Sequence, residues 1–213
     1  MATELLICTA TCLESSLLKT ALPEGIPLLV TGVGAVNAAW ALTRFLEREG
    51  AKAVVVCGIG GAYPGSGLAV GDVAWAESEC YGDLGAASPQ GFLDMQAMGF
   101  PVIAGDEPIY NVLPVQLAPA HASQVRFVTV NTCTGSDASA EELAARTNGA
   151  VENMEGAAIA HVARLYGIPC GEVRGISNPV GNRDRSVWRV KDAALAAQQA
   201  LLAAIQNGDL CLR

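Results

Sequence analysis

The residues with the clearest chemical potential lie between Val151 and Trp188 of this 213-residue chain. Glu152-Asn153-Met154-Glu155-Gly156-Ala157-Ala158 opens an Ala-rich helical pattern, and Ile176-Ser177-Asn178 closes the apolar run after it. Carboxylates, a thioether and an amide are thereby placed at strand ends, where α/β proteins bind ligands. Glu155, at a strand-to-helix junction, can accept hydrogen bonds from both hydroxyls of a cis-diol. Standing alone it would be a first-turn acid favoured by the helix dipole. Met154 offers a flat thioether surface, or core filler. Asn178 can accept and donate at once, or simply turn the chain before Pro179. Glu14, in Cys8-Thr9-Ala10-Thr11-Cys12-Leu13-Glu14, is another carboxylate where a strand passes into a helix. Such a group can act as a general base, or be a solvated acid of the first turn.

The elements that must position these groups follow from the period of the apolar residues. Leu5–Ala10, Ile26–Val30, Ala53–Cys57, Val73–Ala76, Val125–Val130 and Cys170–Ile176 read as strands, several apolar on both faces and therefore central. Helices are expected over Leu13–Leu22, Val36–Glu49, Ala140–Thr147, Ala157–Tyr166 and Lys191–Asn207. Strands and helices interleave, so both faces of one sheet should be covered. The Pro-, Gly- and Met-containing segment from Gly82 to Ala122 is expected to hold loops and short strands over a site. No repeat or linker divides the chain, and 213 residues with 51% hydrophobic content suffice for a single domain over 1–213.

Composition excludes some functions. A net charge of −8 leaves no basic stripe for a nucleic acid. Met1-Ala2-Thr3-Glu4 has no basic leader, and Leu5–Ala10 is too short to span a membrane, so a cytoplasmic location without membrane contact is expected. Seven cysteines without a CxxC pair point to reduced thiols, Cys8 and Cys12 being small apolar fillers rather than a redox pair. With two histidines, a zinc cluster is not expected.

Two glycine clusters follow strands. Gly32-Val33-Gly34-Ala35-Val36-Asn37 has Asn where a dinucleotide fingerprint needs its third small residue, so it is expected to start a helix close to a ligand or a neighbouring strand. Gly58-Ile59-Gly60-Gly61 belongs to a run without the Lys-Ser or Lys-Thr ending of a P-loop, which leaves a tight turn of positive φ as one reading. Taken in order with Val70-Gly71-Asp72-Val73, Met154-Glu155-Gly156-Ala157 and Arg174-Gly175-Ile176-Ser177, these clusters resemble the purine nucleoside phosphorylase and methylthioadenosine nucleosidase superfamily. Within it, Val151-Glu152-Asn153-Met154-Glu155 and Ser177-Asn178-Pro179-Val180-Gly181-Asn182-Arg183-Asp184 resemble the futalosine hydrolases of an alternative menaquinone pathway.

The resemblance implies a three-layer α/β/α sandwich around a twisted mixed sheet, no metal or organic cofactor, a small-molecule nucleoside substrate and a homo-oligomer. It implies that Glu14 orients and deprotonates the attacking water and that Glu155 grips the ribose hydroxyls with Met154 flat against the sugar. Asn153, Gly60, Cys133 and Thr134 are expected around the ligand, the last two by family position alone. The scarcity of cations near the amino terminus, with Ile59 where phosphorylases tend to carry a hydroxyl, favours water over phosphate. Asn178, where adenine-specific members carry Asp, fits a 6-oxopurine: its oxygen accepts from a protonated N7 and its amino group donates to the 6-oxo group. Arg183, near Trp188, is the expected partner of a substrate carboxylate, with Tyr63, Phe92 and Trp75 as possible walls of that slot. The resulting expectation is hydrolysis of futalosine to hypoxanthine. The alternatives are a methylthioadenosine or aminofutalosine nucleosidase, a phosphate-dependent phosphorylase, and a non-catalytic purine-nucleoside binding module.

Overall fold

The computed structural model describes residues 2–212; Met1, Arg213 and the side chains of Cys211 and Leu212 lie outside the described residues. The first half runs β1 (Leu6–Thr9), α1 (Leu18–Ala21), β2 (Leu28–Val30), α2 (Ala35–Arg48), β3 (Val54–Ala62), β4 (Val73–Tyr81), β5 (Gly85–Ser88), β6 (Gly91–Asp94) and α3 (Met95–Met98). The second half runs β7 (Val112–Pro114), β8 (Leu117–Pro119), β9 (Gln124–Thr129), α4 (Asp137–Thr147), β10 (Val151–Asn153), α5 (Gly156–Leu165), β11 (Cys170–Pro179), α6 (Val190–Asn207) and β12 (Leu210–Leu212).

All but β5 and β6 join one mixed sheet with helices on both faces, the expected three-layer α/β/α arrangement. On one face, Ala38, Leu42 and Leu46 of α2 and Ala157, Ala160 and Ala163 of α5 pack on Leu6, Val54, Val56 and Ile176. On the other, Leu18 of α1 and Ala197, Leu201 and Leu202 of α6 pack on Ile7, Val55, Cys57 and Val173. Alternate residues of β1, β3 and β11 thus feed opposite cores, which is why these strands read as continuous apolar runs.

The sheet also closes on itself. β11 pairs in parallel with β3 and antiparallel with β4; β9 lies parallel to both β4 and β10; and β10 returns antiparallel to β3. Along its other edge β3 is shared: β1 pairs with Val54–Val56 and β10 with Gly61 and Ala62. Between them, residues 57–60 of β3 face neither strand, and a cavity opens there.

Several expectations are corrected in detail. The helix expected over Leu13–Leu22 shrinks to the single turn of α1. Before it, hydroxyls compete for the backbone: Ser15 Oγ donates to the carbonyls of Thr11 and Cys12, and Thr11 Oγ1 accepts from Glu14 N. Gln198 of α6 then accepts from Leu17 N at 2.8 Å, in place of a local cap. Gly58, Gly60 and Gly61 are not a turn of positive φ but part of β3. β4 continues past Ala76 to Tyr81, carrying Glu79 into the interior. The segment from Gly82 to Ala122 does contain short strands, but none of its residues lines the pocket, because β7 zips onto β4 and β8 onto β11 and β12.

The thiols of Cys8, Cys12, Cys57, Cys80, Cys133 and Cys170 are free. Among the described residues, no helix is long and apolar enough to cross a membrane, and no cluster of His, Cys, Asp and Glu could hold a metal ion.

Candidate active site

A cavity of about 310 Å³ opens at the gap along β3, in the size range of small-molecule sites. Glu14, Gly60, Cys133, Thr134, Asn153, Met154, Glu155, Asn178 and Arg183 all line it, although they come from five separate stretches of chain.

Glu14 reaches the floor from the loop before α1 and is 4% exposed. Its Oε1 accepts from Ile59 N at 3.0 Å, a backbone donor left free by the gap between β1 and β10, and its Oε2 accepts from Thr11 Oγ1 at 2.7 Å. Each oxygen keeps lone-pair capacity toward the cavity. A methyl added at Gly58 would lie 2.6 Å from both Glu14 Oε1 and Arg174 Nη1. The glycines of β3 therefore serve close approach: with no side chain here, a carboxylate and a guanidinium share one wall.

Glu155 stands at the end of β10, just before α5. Gly34 N, at the head of α2 with φ 93°, donates to its Oε1 at 3.0 Å. The helix start expected near a ligand thus binds a carboxylate of the site. Glu155 Oε2 meets Nη1 and Nη2 of Arg174, each at 3.4 Å. Asn153 holds the turn from behind, its Oδ1 accepting from Glu155 N at 3.0 Å and Gly156 N at 2.8 Å while its Nδ2 donates to Glu79. Its amide is thus spent on the scaffold.

Arg174 and Glu152 also line the cavity, and sequence reasoning assigned neither of them a role. Arg174 is 1% exposed, with Nε on Glu172 Oε1 at 2.7 Å and Nη1 on the Ile59 carbonyl at 3.1 Å. Burial alone would weaken its proton affinity, but Glu172, Glu155 and Glu14 drive it the other way. The signal was the Glu172-Val173-Arg174 pair of opposite charges inside a strand whose other residues are apolar or small, which burial allows only when the charges are paired. Glu152 lines the cavity beside Cys133 and Thr134. It accepts from Thr134 N at 3.0 Å, from Thr134 Oγ1, and from the Tyr63 hydroxyl at 2.9 Å. Cys133 Sγ lies 3.4 Å from Met154 Sδ, and burial together with Glu152 raises the thiol's proton affinity.

Asn178 follows a bulge in the β11–β3 pairing. Its Oδ1 accepts from Ser177 Oγ at 2.7 Å and its Nδ2 donates to the Pro179 carbonyl at 2.9 Å, leaving one acceptor and one donor position. Arg183 has φ 54°, uncommon for a residue with a side chain. Its guanidinium lies 5.2 Å from the centre of the Trp188 ring, which also lines the cavity. The aromatic walls expected from Tyr63, Phe92 and Trp75 are not there. Tyr63 is turned inward to Glu152, Trp75 is packed in the α6-side core, and Phe92 lies under Arg146 at 3.9 Å.

Comparison with known proteins agrees with this architecture. Residues 24–206 match the Phosphorylase superfamily. The chain is 37% identical over 182 residues to the futalosine hydrolase of Acidothermus cellulolyticus, covering 83% of this chain and 73% of that one. It is 38% identical over 189 residues to the futalosine hydrolase of Streptomyces coelicolor, covering 84% and 78%. The solved 5′-methylthioadenosine/S-adenosylhomocysteine nucleosidase of S. pneumoniae, with a transition-state inhibitor, shares the fold at a TM-score of 0.80, 20% identity and coverage of 97% and 100%. The chain belongs to the phosphorylase superfamily and, within it, to the futalosine hydrolase family.

Proposed function

We propose that this pocket hydrolyses the N-glycosidic bond of futalosine, releasing hypoxanthine, as a single domain over 1–213. The observation that carries the reading is the convergence of Glu14, Glu155 and Asn178 on one cavity from three distant parts of the chain.

Glycosidic cleavage passes through a ribosyl oxocarbenium-like state, which anionic groups stabilise. Glu155 accepts the ribose hydroxyls, with Met154 against the sugar. As the bond to the base nitrogen breaks, its electron pair leaves with the purine, which takes up a proton from solvent at N7; the proton that Glu14 gains from the attacking water returns to solvent when the products leave. Water adds to the anomeric carbon and yields its proton to Glu14, whose orientation is set by Ile59 N and Thr11. Asn178 uses its remaining acceptor position on the protonated N7 and its remaining donor on the 6-oxo group. Arg183, over Trp188, receives the carboxylate of the 5′ substituent.

Water is favoured over phosphate because the buried guanidinium is engaged by Glu155, Glu172 and a carbonyl, while Glu14 and Glu155 would repel a dianion. We also infer a homo-oligomer working in the cytoplasm without nucleic-acid or membrane partners, in keeping with the net charge of −8. The test is incubation with futalosine, aminofutalosine, inosine and methylthioadenosine, with and without phosphate. Base release from futalosine, indifferent to phosphate, is expected. Accumulation of a sugar phosphate, or equal turnover of the 6-amino analogue, would overturn it.

A further inference from the structure

The most deeply buried acids of the molecule lie beneath the pocket rather than in its wall. Glu79 of β4 and Glu172 of β11 are both 0% exposed. Glu172 lies two residues before Arg174, hence on the same face of β11, and its Oε1 takes the Arg174 Nε. Its Oε2 has no hydrogen-bond partner. Glu79 accepts from Thr129 Oγ1 at 2.9 Å and from Asn153 Nδ2 at 2.6 Å. Both carboxyls crowd Gly156, the first residue of α5. A methyl there would lie 2.1 Å from Glu79 Oε1 and 2.3 Å from Glu172 Oε2.

Two carboxylates in such proximity, away from water, cannot both stay ionised. A proton on Glu79 Oε1, directed at Glu172 Oε2, removes the repulsion and gives the orphaned oxygen its donor. The acid oxygen keeps a lone pair for Asn153. Burial and the Glu172 charge hold the Glu79 carboxyl well above the usual carboxylate range. Burial raises Glu172 as well, opposed by Arg174. The other charged groups facing the pair are Arg174 on β11 and Glu155 at the head of α5, while Glu14 before α1 acts on Arg174. The thiols of Cys57 on β3, Cys80 on β4 and Cys170 on β11, and the Tyr81 phenol on β4, are kept neutral by burial.

We propose that Glu79 and Glu172 share one proton and together act as a positioning pair that sets the Arg174 guanidinium against Glu155. Arg174 is held at 2.7 Å by Glu172 and at 3.4 Å by Glu155, so a second negative charge on the pair draws it inward and loosens its hold on Glu155. Glu79 also reaches Glu155 through Asn153, which donates to one and braces the backbone of the other. The effect on turnover rests on the ribose role proposed for Glu155.

Infrared difference spectroscopy of the whole protein at neutral pH, wild type against Glu79→Gln, reads the proton directly. A protonated-carboxyl carbonyl band that the substitution removes is expected, and its absence from the wild type overturns the proposal. In kinetics, Glu79→Leu should lower kcat/KM for futalosine by about tenfold or more, and Glu79→Gln, which donates as the acid does, should restore it to within about threefold. Wild type should lose activity as Glu79 deprotonates on the alkaline side, and the Gln variant should not. Equal activity of the Leu and Gln variants, with wild-type melting curves, also overturns the pair's role. Normal turnover by Glu155→Gln would instead sink the ribose reading while leaving the infrared band in place.

Discussion

The Arg174 guanidinium and the Glu155 carboxylate meet at 3.4 Å with side chains only 2% and 7% exposed. A pair so enclosed is strong evidence of position and weak evidence of net stability, since desolvation offsets most of the attraction. Removing one partner is different, because it strands the other. Arg174→Met should therefore destabilise the fold by about 3–5 kcal/mol, read from urea denaturation, because Glu155 and Glu172 lose their common cation.

Glu14→Gln preserves the acceptor for Ile59 N and removes the base proposed above. The expected outcome is a fall in kcat of about 10²–10⁴-fold with KM little changed, measured by hypoxanthine release. A loss confined to KM would place Glu14 in binding alone.

Asn178→Asp replaces the donor to the Pro179 carbonyl with a second acceptor. The ratio of kcat/KM for the 6-amino over the 6-oxo nucleoside should rise by about tenfold to hundredfold, checked with aminofutalosine and futalosine side by side.

Arg183→Ala should raise KM about tenfold for a substrate with a 5′ carboxylate and leave inosine unaffected, as charge-assisted recognition by an exposed guanidinium predicts. An unchanged KM for futalosine would remove Arg183 from the site.

The buried carboxyl pair also predicts how stability varies with pH. Glu79 and Glu172 bind protons more tightly in the folded than in the unfolded chain, whose carboxyls titrate near 4.5. Their contribution is therefore fully present below that value and is lost as pH rises through the raised folded values. Urea midpoints taken at rising pH should decline over this window in wild type and decline less in Glu79→Gln.

Much of this was legible in the chain because it depends on local pattern. The double-sided apolar runs of β1, β3 and β11 mark central strands, and Met154-Glu155-Gly156 at a strand-to-helix junction marks the pocket. What escaped depends on pairing across the chain. The glycines of β3 read equally well as a turn until β11 is seen beside them along the whole strand. Glu79 looks like a surface residue of a polar stretch, and its burial follows from the bulge between Ala76 and Ser78 in the β4–β9 pairing. Arg174 gains its meaning only when residues 155 and 172 are brought to it. The helix expected over Leu13–Leu22 is cut short because the Thr11 and Ser15 hydroxyls take up the local backbone groups, and Gln198, far along the sequence, caps the turn that remains.

The closed circuit of β3, β11, β4, β9 and β10 has a mechanical consequence. Glu14 hangs from it through Ile59 N, while Glu155, Arg174 and Asn178 are carried on it or at its ends. A hoop without a seam fixes the spacing of these groups in one frame, while Gly181, Arg183 and Trp188, just beyond β11, line the same cavity from outside it.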